Sequence, residues 1–131
     1  MKVAFASING KHLDCHFGRC PSFSIFNFTE EGFKWLESRS VPDMPGDEDE
    51  GSRIGKRLRV IGDCKVLFVE AIGNVAAKKA MKAGIMVFKS DSGTEVIPQL
   101  EKLQRMLKER PPLWLVKLLR QAAEEEREWD G

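Results

Sequence analysis

Residues 62–74 read GDCKVLFVEAIGN: a turn signal at Gly62 Asp63, an unbroken apolar run Val66–Val69, and a second turn signal at Gly73 Asn74. A four-residue run without polar alternation is expected for a strand covered on both faces, as inside a parallel sheet. The residues downstream agree. Asn74 is suited to cap a helix whose Ala77, Ala80 and Met81 turn inward while Lys78, Lys79 and Lys82 face water. Gly84 ends that helix, and Ile85–Phe88 supplies the next strand. Upstream, Ser52 is a plausible cap for a helix with Ile54, Leu58 and Ile61 on its buried face. Before it, Lys2–Ser7 reads as a strand ending at the turn Asn9 Gly10, and Phe23–Phe28 and Phe33–Val41 read as a hairpin. Nearer the carboxyl end, Thr94 is expected to cap a helix through Leu107 with Pro98 in its first turn. Pro111 Pro112 then restart the chain into an amphipathic helix, Leu113–Leu119, carrying Trp114.

The element order is thus βββαβαβαα. This implies an α/β fold with a mixed five-stranded sheet: the first three strands an antiparallel meander, strands one, four and five parallel, helices on both faces. Residues 1–110 are expected to form a single domain, and 111–131 a helical extension with an acidic tail.

The 131 residues, 42% hydrophobic and 31% charged, suit one core. At this size folding buries roughly two-thirds of the chain's surface, so neither disulfides nor a structural metal is required. With 21 basic and 20 acidic residues the net charge is +1, which excludes whole-domain attraction to nucleic acid or an anionic membrane. The charge is nonetheless segregated. Asp43–Gly51 is acidic and reads as a solvated loop, residues 51–90 are strongly basic but lack interleaved aromatics, and the tail from Glu124 is acidic. No apolar run reaches membrane-spanning length, and Met1 Lys2 leads into a strand rather than a signal peptide, so a cytoplasmic location is expected.

Three cysteines are too few for a disulfide framework. Two of them, Cys15 and Cys20, share a short segment with Asp14 and both histidines, His12 and His16. The topology puts this segment outside the carboxyl end of the first strand, beside the Ile72–Asn74 loop after the fourth, where open α/β sheets bind ligands. Thiolate and imidazole suit zinc, copper(I) and iron or iron–sulfur species rather than magnesium or calcium. The set is incomplete, since no second cysteine pair closes a four-ligand cage. That favours a metal species held loosely. His16, Cys15 and Cys20 are the candidate metal ligands, with His12 the weaker one. Arg19 is either a surface charge or an anion contact, and Gly73 with Asn74 can offer helix N-terminal amides to an anion. Cys64 is expected to be a core thiol.

Around these residues the sequence resembles the nitrogenase cofactor biosynthesis family of NifX, NafY and the NifB C-terminal domain. The matching pieces are Lys2–Ser7; Asp14, His16, Phe17, Gly18 and Arg19; Phe23, Ile25 and Phe26; Ala71 Ile72 Gly73; Ala76; and Ala83 Gly84 Ile85. The ending Pro111–Leu115 with Lys117 and Leu118 is similar to the NifX branch. The resemblance covers roughly residues 2–119. It implies a ribonuclease-H-like sheet, no catalysis, and transient binding of an iron–sulfur precursor of the iron-molybdenum cofactor, passed between cofactor assembly proteins that act as cluster donor and scaffold. His16 matches the family's motif histidine. Cys15 and Cys20 flank it at positions where the family varies, and Gly18, Arg19, Gly73 and Asn74 complete the expected cofactor-binding set. Two departures are visible: relatives outside the NifX branch often carry His or Cys in the loop that here is acidic, and glycines after Ile72 Gly73 give way to Asn74 Val75.

Three other readings compete. A thiol enzyme would use Cys15 or Cys20 activated by His16 in redox or acyl chemistry. A regulatory or scaffold module would bind a partner through the last helix with Trp114; on the carrier, enzyme or module reading, neither nucleic acid nor membrane is an expected partner. A two-metal nuclease is set aside, because strand one carries Val3, Ala4, Phe5 and Ala6 where converging carboxylates would be needed. A monomer is expected.

Overall fold

A computed structural model describes residues 1–42 and 49–130, with side chains as far as Arg127. The elements are β1 Lys2–Phe5, a 3-10 turn Phe17–Arg19, β2 Ser22–Phe28, β3 Phe33–Ser40, α1 Glu50–Val60, β4 Val66–Val69, α2 Asn74–Lys82, β5 Met86–Lys89, α3 Val96–Glu109 and α4 Leu113–Asp130. The sheet order is β3-β2-β1-β4-β5. β2 runs antiparallel to β1 and β3, while β1, β4 and β5 are parallel. This is the mixed sheet that the element order implies, and the ribonuclease-H-like arrangement that the family resemblance implies.

Period-two alternation sends each strand's side chains to two cores. Ala4, Ala6, Phe23, Ile25, Leu67 and Val69 face one, closed by Ile54 of α1 and Ala76 and Ala80 of α2. Val3, Phe5, Phe26, Phe28, Val66 and Phe68 face the other, closed by Leu100 and Leu103 of α3 and Leu115 and Leu118 of α4. Across the second face, register pairs line up Phe5 with Phe68 and Phe68 with Phe88. Their rings stack at 4.8 Å and 5.4 Å, and the row continues to Phe26 on one side and Trp114 on the other. Such pairs add to area burial. Trp114 therefore packs on the sheet rather than standing free for a partner.

Several expected boundaries are corrected by the geometry. Asp49, not Ser52, caps α1: its carboxylate accepts the Ser52 amide at 2.7 Å. The solvated-loop expectation for Asp43–Gly51 falls largely on residues 43–48, outside the described residues, and Glu50 and Gly51 belong to α1. Gly73, not Asn74, is the N-cap of α2, without a side-chain cap. Glu95, not Thr94, precedes α3, because the Thr94 hydroxyl donates to the Asp91 carbonyl instead. On α2 the buried residues are Ala76 and Ala80, and Met81 is exposed. β3 alternates weakly because a register shift between Ile25 and Phe26 leaves Leu36 extra, and because this edge strand exposes Trp35. α4 outruns Leu119, and Lys65 holds its extended part through Glu125 at 2.6 Å. Gly84 ends α2 at φ +86, a conformation that favours glycine.

Asp63, in the turn before β4, joins three segments: Lys2 of β1 at 2.8 Å and the Arg39 guanidinium of β3, whose Nη2 lies at 3.0 Å. Arg39, and then Lys2, hold its carboxyl well below the usual carboxylate range. A depressed native value means that the stabilisation is present above the unfolded value of about 4 and is lost as pH falls from there through the native value. Asp63→Asn is expected to cost about 1 kcal/mol at pH 7, discounted for the pair's exposure, with the difference from the parent shrinking on acidification below about pH 4. Phe68→Ala, at the centre of the aromatic row, is expected to cost about 3–5 kcal/mol. Urea denaturation measures both, and a Phe68→Ala cost near zero would contradict the packing.

Candidate functional site

The segment from Ser7 to Cys20 carries no long helix or strand, so local side-chain bonds fix it. Asn9 Oδ1 accepts the Lys11 and His12 amides at 2.7 and 3.1 Å, and Asp14 Oδ1 accepts the Ile8 amide at 3.1 Å. These are the short-range bonds that Asn and Asp make in turns. Its two halves are then tied to different neighbours. The Leu13 amide donates to the Thr94 carbonyl and the Gly93 amide to the Leu13 carbonyl, anchoring the first half to the loop before α3. The Phe17 amide donates to the Ala71 carbonyl at 2.9 Å, anchoring the second half to the loop after β4. His12 thereby bridges to Glu95, and His16 to Ala71.

His16, Gly18 and Arg19 meet the N-cap Gly73 and Ala76 of α2 and Glu50, Arg53 and Ile54 of α1 around a cleft of about 180 Å³. Four of the seven expected cofactor-binding residues, His16, Gly18, Arg19 and Gly73, line it. Asn74 and His12 do not. The His16 side chain is 65% exposed, with Nε2 3.5 Å from Glu70 Oε1. Because Gly73 brings no capping side chain, the first amides of α2 remain available at the cleft wall. Arg19 and Arg53 add positive charge, which Glu50 in the same lining and Glu70 beside His16 partly offset. Larger clefts exist elsewhere, notably one of about 430 Å³ beside Met1, but its lining charges Lys2 with Asp63 and Lys65 with Glu125 pair with one another.

Cys15 and Cys20 point the other way. Both are buried in the first core, with Phe17 and Phe23. Cys15 Sγ donates to Asp14 Oδ1 at 3.0 Å, and Cys20 Sγ to the Ser22 carbonyl at 2.8 Å. Burial is the largest cause pushing both thiols above their ordinary value, and the Asp14 carboxylate adds to it for Cys15. Cys64 is buried as expected, its thiol pushed up to about 12. Among the described residues no group of three or more His, Cys, Asp or Glu is arranged to hold a metal ion. The cleft thus offers one imidazole, cationic side chains and backbone amides, and its described walls form no ligand cage. Sequence reasoning missed Arg53, Glu50 and Glu70. Glu70 follows β4 at the carboxyl edge of the parallel strands and was readable in principle, whereas Arg53 reaches the cleft only through the tertiary docking of α1.

Comparison with known proteins places this geometry. Residues 1–106 match the family described as dinitrogenase iron-molybdenum cofactor. The chain belongs to that family. It is 30% identical over 125 residues to protein NifX of Herbaspirillum seropedicae, covering 95% of this chain and 85% of that protein. To protein NifY of Klebsiella pneumoniae it is 34% identical over 115 residues, covering 88% of this chain and 49% of NifY. It is 29% identical over 89 residues to the FeMo cofactor biosynthesis protein NifB of Klebsiella pneumoniae, covering 63% of this chain and 19% of NifB. The chain thus spans most of its NifX relative, about half of NifY and a fifth of NifB. The crystal structure of PH0822 superposes with a TM-score of 0.57 at 22% identity, covering 82% of this chain and 88% of that one, and so shares the fold. No helix among the described residues is long and apolar enough to cross a membrane.

The thiol-enzyme reading requires an accessible, acidic thiolate. The described thiols are the reverse. In a titration of thiolate absorbance on the metal-free protein, no cysteine is expected to ionise below the ordinary value of 9.0. A thiol ionising near neutrality would restore the enzyme reading.

Proposed function

We propose that this protein is a non-catalytic carrier in iron-molybdenum cofactor biosynthesis, which takes up an iron–sulfur precursor at the His16 cleft and hands it from a cluster donor to a scaffold protein. The observation that carries this is the motif histidine, exposed at a cleft that Arg19 and Arg53 also line, at the carboxyl edge of the parallel strands, in a chain of the dinitrogenase iron-molybdenum cofactor family. An iron–sulfur precursor is anionic, with sulfides on its surface. It calls for a ligand to one iron, together with N–H donors and cations toward the sulfides. His16 fits the first role. Arg19, Arg53 and the uncapped amides after Gly73 fit the second. A single ligand in an open cleft permits release by ligand exchange, which a cage of thiolates would resist. Cys15 and Cys20 enter this reading as anchors that hold the His16 turn onto the core, and they become ligands only if the turn opens.

Anaerobic loading followed by iron and sulfide analysis and visible spectroscopy tests the proposal. The parent is expected to become coloured, His16→Ala to retain at most about a tenth of the bound iron, consistent with loss of a direct ligand, and Arg19→Ala to fall between. A parent that stays colourless with supplied precursor, or a His16→Ala variant that loads equally, would contradict it.

A further inference from the structure

β5 is an edge strand of the sheet, paired among the described residues with β4 alone. One stripe of α3, Gln99, Lys102, Leu103 and Met106, meets the end of β5 around a groove of about 240 Å³. The groove lies on the face of the sheet that α3 and α4 cover, opposite the His16 cleft, which α1 and α2 wall. Its base is aromatic. Phe88 stacks on Phe68 at 5.4 Å and packs on Trp114 of α4 at 5.2 Å, yet Phe88 and Trp114 are only partly buried, and both line the groove. Its charge has one sign. Lys89 and Lys102 are exposed, no carboxylate stands in the lining, and neither lysine makes an ion pair among the described residues. The larger cleft beside Met1 differs on that point, since its lysines are already paired with Asp63 and Glu125.

We propose that this groove is a second ligand site, which takes a small aromatic carboxylate with its ring against Phe88 and Trp114 and its carboxylate toward Lys89 and Lys102. A largely apolar recess with a few polar groups is the usual build of a small-molecule site. Aromatic rings gain from offset or edge contact with other rings beyond the area they bury, so a ring suits this base better than an alkyl chain. A carboxylate accepts charge-assisted hydrogen bonds from ammonium groups that have no carboxylate of their own to meet. Ser90 and Gln99 add a hydroxyl and a carboxamide to the same lining. The lining holds no histidine, cysteine, aspartate or glutamate, so the site is not a second place for a metal cluster, and it does not depend on the carrier reading.

The test titrates cinnamate into the full, cargo-free chain and follows assigned amide and indole NMR signals. Saturable shifts are expected at Lys89, Ser90, Gln99, Lys102 and the Trp114 indole, with a Kd of about 1 mM or tighter, as a ligand of this size allows. Lys89→Gln and Lys102→Gln are each expected to weaken binding by about three- to tenfold, through loss of a hydrogen bond to a charged group at an exposed rim. Neutral cinnamamide, of the same shape, is expected to bind weaker than cinnamate by a similar factor. Lys78→Gln, on the exposed side of α2, is expected to leave binding unchanged. All three lysines are exposed, so the variants keep the fold. No saturable shift up to the solubility limit of cinnamate would overturn the proposal. So would shifts centred on His16 and Arg19, cinnamamide binding as tightly as cinnamate, or parent-like binding by both the Lys89→Gln and Lys102→Gln variants. No cluster precursor is added, so failure here leaves the carrier reading standing, and failure of anaerobic loading leaves this site standing.

Discussion

The parallel pairing of β1 with β4 is the constraint on which the remaining structure depends. Val3, Ala4 and Phe5 lie opposite Val66, Leu67 and Phe68, and nearly all of these side chains are sealed from solvent on both faces of the sheet. Parallel neighbours release their following loops at the same edge. The segment after β1 and the loop after β4 are therefore adjacent, and the Phe17 to Ala71 hydrogen bond locks them together. Without that pairing, His16 would have no reason to stand beside the start of α2.

The same constraint sorts the candidate metal ligands. Within a few residues the chain must pass from the carboxyl edge of β1 back to the start of β2, and the compact 3-10 turn it uses buries Phe17 completely. Side chains on the Phe17 side, Cys15 and Cys20, go to the core, while His16, Gly18 and Arg19 go to the cleft. The cleft is left with one imidazole and two arginines, with Glu50 in the same lining and Glu70 beside His16. That balance suits a bulky anion held briefly better than a bare metal ion held tightly.

The sheet was legible because its signals are local and strong. The runs at Val66–Val69 and Lys2–Ser7 and the breaks at Asn9 Gly10 and Gly84 require little tertiary context. Helix starts were less so. Asp49, Gly73 and Glu95 each stand within three positions of another residue equally able to cap, and only the path of the incoming chain decides which carries the role. The location of the candidate cleft was readable from topology, and His16 and Arg19 in its lining from the sequence motif. The inward turn of the two thiols was not: composition marks a cysteine equally well as a ligand and as a small apolar side chain. Arg53 was hidden for another reason, since it reaches the cleft only when α1 packs onto the sheet.

The central claim is that His16 alone of the chain's two histidines meets the cargo. Imidazole NMR on histidine-labelled protein tests it directly, because one substitution assigns both rings. On anaerobic addition of an iron–sulfur precursor, the ring signals of His16 are expected to shift or broaden away while those of His12, on the other flank beside Glu95, persist. Precursor bound with the His16 ring unaffected, or with His12 responding instead, would contradict the account.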